Sequence, residues 1–336
     1  MAISELETLL TEYEQKRRNA KANLEKRKKE LYAKIPRLEE IEDEINRLSI
    51  NKTKSILISG LTDSLNTEFE KELIKLRNEK ETILKKENID EDFLKIKYEC
   101  ENCKDTGYIK YENQKTEMCN CLKQKLINIS YNKSNLSNLQ KENFENFDIN
   151  KFSDKINIEK YKMNISPREN INTIKKASQN FIQNFEDAET KNLFFTGNTG
   201  LGKTYMTNCI ANELLKRGKT VLYQTAPVLL ETIIDNKFNK YKTAKTNAFY
   251  EQVLTADLLI IDDLGTEVQN SMKLSELFTI LNTRILNLNN KITKTIISTN
   301  LSIEKIFNTY EERIGSRIAG FYDIYYFFGE DLRLKK

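Results

Sequence analysis

The stretch Asn192–Ile210, NLFFTGNTGLGKTYMTNCI, decides how the rest of the chain is read. An apolar run meets a glycine-rich turn, then Lys203 and Thr204, then a segment of helical character. Gly197, Asn198, Thr199, Gly200, Leu201, Gly202, Lys203 and Thr204 fit the pattern G-x-x-x-x-G-K-[ST] with no departure. In that pattern the glycines let backbone amides close around phosphate oxygens. The lysine reaches the outer phosphates, and the hydroxyl ligates magnesium. The motif follows a predicted strand and opens a predicted helix, which is the setting it needs. It points to a bound nucleoside triphosphate. It leaves open whether the phosphate drives work or serves as a timing signal.

Around this stretch, strands and helices alternate. NLFFTG, TVLYQTA, ADLLIIDDLG and TKTIISTN read as strands; KTYMTNCIANELLKR and SELFTILNTRILN read as helices. Continuous apolar strands separated by helices predict an α/β domain with a parallel sheet covered on both faces. A phosphate loop needs a magnesium partner at the end of another strand, and LLIIDD, residues 258–263, supplies it. Asp262 would hold magnesium, usually through water. Asp263 stands where a carboxylate orients or deprotonates the attacking water. The plainer alternative is that the two acids cap a strand. Asn300 ends the TIISTN strand, within reach of the γ-phosphate and the acidic pair. Arg313 and Arg317 lie four residues apart on one predicted helix face. Arginines late in such a module often reach the nucleotide of an adjacent subunit; on spacing alone, surface arginines in solvated salt bridges are the stronger reading.

The chain has 336 residues, 31% of them charged, with 10 Gly, 3 Pro, no histidine and a formal net charge of +4. This is the composition of a helix-rich protein of two or three domains. The charge is too small to imply a nucleic-acid partner, so any basic surface must be local. No apolar run of about 18 residues is present, so no membrane span is expected. The acidic, amphipathic N-terminus carries no secretion signal, and a cytoplasmic address is expected. The missing histidines exclude a serine–histidine triad and imidazole metal ligands.

Residues 1–134 predict a helical module with a cysteine cluster, 135–166 a linker, and 167–336 the α/β domain. Leu6, Leu10, Tyr13, Ala20, Leu24, Leu31, Leu38, Ile41, Ile45 and Leu48 keep an apolar stripe on one helical face. Pro36 would kink or split this helix. A second helix, about 64–86, would fold back as an antiparallel hairpin joined by SILISGLTD. The stripe packs its own hairpin for most of its length; the alternative is a docking surface. Cys100, Cys103, Cys119 and Cys121 form C-x2-C-x15-C-x-C. Four thiolates at this spacing suit structural, tetrahedral zinc, with unrelated buried cysteines as the alternative. Gly107 would allow the turn of a following hairpin, and CNCLKQKL would start a helix. Cys209 reads as a small core residue. The linker carries Phe144, Phe147 and Phe152, available to dock on a neighbouring domain. Ser166, Pro167 and Glu169 predict a capped helix start. In KFNKYKTAKTNAFY, Lys237, Lys240, Lys242 and Lys245 occur without an acid, interleaved with Phe238 and Tyr241. Cations with aromatic platforms suit single-stranded DNA; a solvated lysine-rich helix is the plainer reading.

GNTGLGKT, LLIIDDLGTE, TIISTNL, YEERIGSRI and the terminal FFGEDLRLKK occur in an order and spacing that resembles the AAA+ P-loop domain of the bacterial replicative helicase loaders, the DnaI/DnaC family. The resemblance covers about residues 135–336, and the cysteine-bearing region is similar to clostridial members. It implies a weak ATPase, using ATP and Mg2+, that binds the hexameric replicative helicase through its N-terminal module. It also implies self-association through the AAA+ domain and delivery of the helicase to single-stranded DNA, with no membrane partner. By the same resemblance Asn300 matches the first sensor, Arg317 the arginine finger with Arg313 beside it, and Arg333 a terminal basic residue that senses nucleotide. Many AAA+ enzymes have Asp-Glu where this chain has Asp262-Asp263; the shorter second acid implies slow turnover. Two other readings stand beside the loader: a transposition helper ATPase of the IstB type, and an adaptor that binds ATP without hydrolysing it.

Overall fold

A computed structural model describes residues 2–59, 63–112, 114–130, 141–238, 244–286 and 291–334. Contacts divide the chain into two compact units, Glu7–Glu117 and Met118–Lys336, the second taking in Met1–Leu6. Among the described residues no helix is long and apolar enough to cross a membrane.

The first unit is built on α1 (Ala2–Lys34), α2 (Pro36–Ser59) and α3 (Asp63–Lys86). Pro36 splits the predicted long helix. It lacks an N–H to continue α1, yet its fixed φ suits the first position of α2. α2 and α3 pack as the expected hairpin. The predicted joint is shorter than SILISGLTD, because α2 stays helical through Ser59 and only residues 60–62 lie between the two helices. Leu24, Leu31, Leu38 and Ile41 of the stripe are buried, while Ile45 and Leu48 are partly exposed. Near the start the register differs from the ladder: Leu9 is buried and Leu10 only partly so. Leu31, Leu38 and Leu84 form a small core with Ile35, Ile83 and Phe93. Glu42 ties the three helices together, accepting from Lys28 on α1 at 2.8 Å and Lys80 on α3 at 2.7 Å. A two-stranded ribbon follows, β1 (Tyr108–Lys110) with β2 (Thr116–Met118), and α4 (Asn120–Ser130) belongs to the second unit. Gly107 does sit in the left-handed region before β1, at φ +77°.

The second unit holds α5 (Ile158–Tyr161) and α6 (Pro167–Gln183). After them come β3 (Asn192–Thr196), α7 (Lys203–Lys216), β4 (Val221–Thr225), α8 (Ala226–Phe238) and α9 (Ala244–Thr255). The chain continues through β5 (Leu258–Leu264), α10 (Ser271–Ile285), β6 (Lys294–Thr299), α11 (Ile303–Thr309), α12 (Glu311–Phe321) and β7 (Tyr322–Tyr326). α6 begins with the expected capping box: Ser166 accepts from the Glu169 N–H, and Glu169 accepts from the Ser166 N–H. The sheet is parallel, in the order β4-β5-β6-β3-β7. Successive residues of β3, β4, β5 and β6 feed opposite cores. Phe194, Leu222, Leu259 and Ile297 join one; Leu193, Phe195, Val221, Tyr223, Ile260 and Ile296 join the other. Both faces are therefore covered, as continuous apolar strands require.

α5, α8, α11 and β7 are among the elements with no counterpart in the sequence reading. β7 follows α12 with no glycine or proline between, and as an edge strand it shows the mixed pattern YDIYY rather than an apolar run. α8 starts at the residue after β4, so no turn signal separates them. At the sheet's far end Arg284 is fully buried. Its guanidinium donates to the Thr295 hydroxyl (3.0 Å) and to the carbonyls of Val253 (2.9 Å), Ala256 (3.0 Å) and Lys294 (2.6 Å).

Candidate nucleotide site

The strand order creates the site. β6 lies between β3, which feeds the glycine loop, and β5, which ends in the acids. The C-terminal ends of all three strands therefore converge where crevices form in open α/β sheets. Lys203 opens α7 and is 6% exposed. Its Nζ donates to the carbonyls of Gly197 (2.6 Å) and Asn198 (2.8 Å) and to Asn300 Oδ1 (2.8 Å). Burial lowers the Lys203 pKa, against the opposing pull of Asp263 and Asp262.

β5 is bulged at its end. Ile261 pairs with Ile297 and Leu264 with Thr299, so Asp262 and Asp263 together face the single residue Ser298. Asp263 takes up the extra residue in the left-handed region, at φ +56°. This turns the two carboxylates apart. Asp262, 3% exposed, points inward and accepts from the Thr204 hydroxyl at 3.1 Å. Asp263 lines the open cavity. Burial, and then the Asp262 charge, raise the Asp263 pKa, with Lys203 opposing.

A cavity of about 410 Å³ covers the glycine loop. Its wall includes Thr199–Tyr205, Asp263, Asn300, Leu332 and Arg333. It also includes Phe147, Asp148, Lys151 and Phe152, from the segment read as a linker. Phe147 stacks on Phe152 with centroids 6.0 Å apart, meets Tyr205 edge-on at 5.5 Å, and has Lys175 Nζ above it at 5.3 Å. The only sequence signal for this wall was the run of phenylalanines in a polar segment. From the other side the chain's end closes on the loop: the Leu332 N–H donates to Gly200 O at 2.9 Å, and Phe327 N–H to Thr196 O at 2.7 Å. Two loop glycines are required by this approach. A Cβ on Gly197 would lie 2.1 Å from Phe327 O, and one on Gly200 1.9 Å from an Asp331 oxygen. Arg333 forks onto Asp331 at 3.0 and 3.1 Å at the cavity edge.

The two late arginines do not line this cavity. Arg313 pairs with Glu311 at 2.8 Å and lies 4.7 Å over the Phe278 ring; Arg317 lies 5.8 Å over Phe321. Of the DNA candidates, Lys237 pairs with Glu276 and sits 5.6 Å over Tyr250, so within this chain it is held by an acid and a ring. Lys240, Tyr241 and Lys242, and the side chains of Phe238 and Lys245, lie outside the described residues. The Sγ atoms of Cys100, Cys103, Cys119 and Cys121 all lie within 4.8 Å of one another. Zinc–sulfur bonds of about 2.3 Å place tetrahedral thiolates about 3.8 Å apart, so the donor set fits the ion with small adjustment. Two left-handed residues, Lys104 and Asp105, shape the first pair's turn, and the buried Asp105 carboxylate accepts from the Glu99 (3.0 Å) and Cys100 (2.9 Å) N–H groups.

A parallel sheet with this loop, these acids and the intervening asparagine strand defines an ATPase domain of the AAA+ class. Residues 159–321 match the bacterial DnaA ATPase domain family. The chain is 32% identical over 125 residues to the chromosomal replication initiator DnaA of Campylobacter fetus, spanning 37% of this chain and 27% of the relative. It is 31% identical over 100 residues to the replicative helicase loader DnaC of Escherichia coli K12, spanning 30% of this chain and 39% of that protein. A crystal structure of DnaI overlays with a TM-score of 0.41 at 24% identity, over 51% of this chain and 87% of that one. The chain thus spans well under half the length of these curated relatives. In this region the chain is similar to both the initiator DnaA and the loader DnaC.

Proposed function

We propose that this chain is a slow, ATP-controlled loader that binds the hexameric replicative DNA helicase and delivers it to single-stranded DNA. The observation that carries the reading is the cavity itself. Thr199–Thr204, Asp263 and Asn300 line it, and Asp262 lies behind Thr204, in a domain whose sequence is similar to DnaC. The backbone amides of the glycine loop cradle the phosphates, Lys203 neutralises them, and Thr204 with Asp262 would hold magnesium. Bound magnesium supplies charge neutralisation across the phosphates. Asp263 and Asn300 set the attacking water, and Arg333 reads the phosphates from the cavity rim. Phe147 and Phe152 give the apolar end that a base requires. Arg317, turned away from its own cavity and with Arg313 beside it, serves the nucleotide of a second copy. Zinc on the four cysteines braces residues 1–134 as the helicase-gripping module, and residues 237–245 touch DNA.

Co-purification of the full chain with the replicative helicase of the same organism, with ATP and with ADP, tests the reading. A complex whose yield depends on the nucleotide is expected, and it should be lost in a chain lacking residues 1–134. A folded, nucleotide-binding protein that never retains the helicase would overturn it.

A further inference from the structure

The Asp262 carboxylate is gripped on both oxygens by hydroxyls that belong neither to the glycine loop nor to the acidic pair. Tyr223 on β4 donates its phenolic hydroxyl to Oδ2, the oxygen that also accepts from Thr204. Ser298 on β6 donates to Oδ1, which also accepts the Asp263 N–H at 3.1 Å. These are the two strands that flank β5. The placement follows from register. Thr225 is the direct partner of Asp262, so Tyr223, two residues back, is its diagonal neighbour on the same face. Ser298 is the single residue facing the bulge. Tyr223 is 3% exposed and Ser298 fully buried, so neither hydroxyl has water as a ready substitute partner. The Tyr223 ring belongs to the apolar core beneath the sheet, and a phenylalanine would fill that space as well. Core packing alone does not call for the hydroxyl.

We infer that Tyr223 and Ser298 are positioning residues that fix the Asp262 carboxylate for magnesium. This rests on the reading of Asp262 as the magnesium residue. A carboxylate held on both oxygens cannot rotate away from the metal's water shell. Outer-shell partners of this kind are worth about 10- to 100-fold in metal affinity.

The test is a magnesium titration of fluorescent ATP-analogue binding to the full chain, comparing wild type with Tyr223→Phe, Ser298→Ala, Ser298→Thr and Asp262→Asn. The magnesium midpoint should rise by about tenfold or more in Tyr223→Phe and Ser298→Ala. Binding of the analogue in excess EDTA should stay at the wild-type value, and Ser298→Thr, which keeps the hydroxyl, should recover the midpoint. A purely structural role would weaken both kinds of binding in parallel and lower the melting temperature. A wild-type or lowered magnesium midpoint in both hydroxyl deletions overturns the inference. If Tyr223→Phe does not fold, Ser298→Ala decides alone. Asp262→Asn separates the two levels. If it shifts the midpoint while the hydroxyl deletions do not, only this inference fails. If Asp262→Asn itself leaves magnesium dependence unchanged, the underlying assignment fails.

Discussion

Lys203 Nζ and Asn300 Oδ1 are 2.8 Å apart although 97 residues separate them in the chain. The contact exists because β6 is inserted between β3 and β5, which brings the end of the asparagine strand to the mouth of the glycine loop. On the proposed reading, a bound phosphate would share this cation with Asn300. Asn300→Ala is expected to leave equilibrium ATP-analogue binding near wild type and to slow single-turnover hydrolysis by about 10²-fold, the scale of losing one positioned polar group. Loss of binding in proportion to the rate would show that Asn300 supports the loop rather than the reaction.

Asp263 is held in the left-handed region by the bulge and faces the cavity. Asp263→Asn keeps the size and tolerates that backbone. Rapid-quench measurement should show ATP bound but hydrolysed about 10²- to 10⁴-fold more slowly. Equal rates in the two proteins would favour an adaptor that uses ATP only to set its shape.

Gly200 has φ +75° and no room for a Cβ against Asp331. Gly200→Ala should push the Asp331–Arg333 segment off the loop and cost about 1–3 kcal/mol in strain. Thermal melting would record the loss, and ATP-analogue titration should show weakened affinity. An unchanged protein on both counts would mean that the chain end does not brace the loop.

Glu42 supplies the pH dependence of the three-helix unit. Burial pushes its carboxyl up, but hydrogen bonds from Lys28 and Lys80 outweigh this and hold the pKa at about 2. A depressed folded-state value stabilises the fold above the ordinary glutamate range, and that contribution is lost as pH falls from about 4 toward 2. Amide protection factors of the α1–α3 core in the full chain, with the intrinsic pH dependence of exchange divided out, should fall across that window, and Glu42→Gln should remove the part of the pH dependence that belongs to this site. The same exchange profile in both proteins would count against the hub.

For the cysteine cluster, elemental analysis of protein purified without chelator should find one zinc per chain, as four thiolates in a closed site imply. Replacing Cys100 and Cys103 by serine should abolish it and expose the surrounding turn to protease. Stoichiometric zinc in that double variant would remove these residues from the ligand set.

Much of the molecule is legible in its sequence because much of the signal is local or periodic. The phosphate loop is one contiguous octet, the apolar strands run unbroken, Ser166 and Glu169 cap within one turn, and the cysteine spacing carries its own chemistry. The parallel α/β domain follows from these alone. Other features depend on residues far apart in the chain, and only the tertiary structure decided them. Tyr223 and Ser298 read as ordinary members of core strands until register sets their hydroxyls on Asp262. The phenylalanine segment reads as linker until its rings pack beside Tyr205 and wall the cavity. β7 carries no strand pattern of its own and forms because β3 offers it an open edge. Lys237 reads as a free cation until α10 sets Glu276 against it. In each case a side chain's role is set by which backbone lies across from it, and sheet order and register, not local composition, determine that.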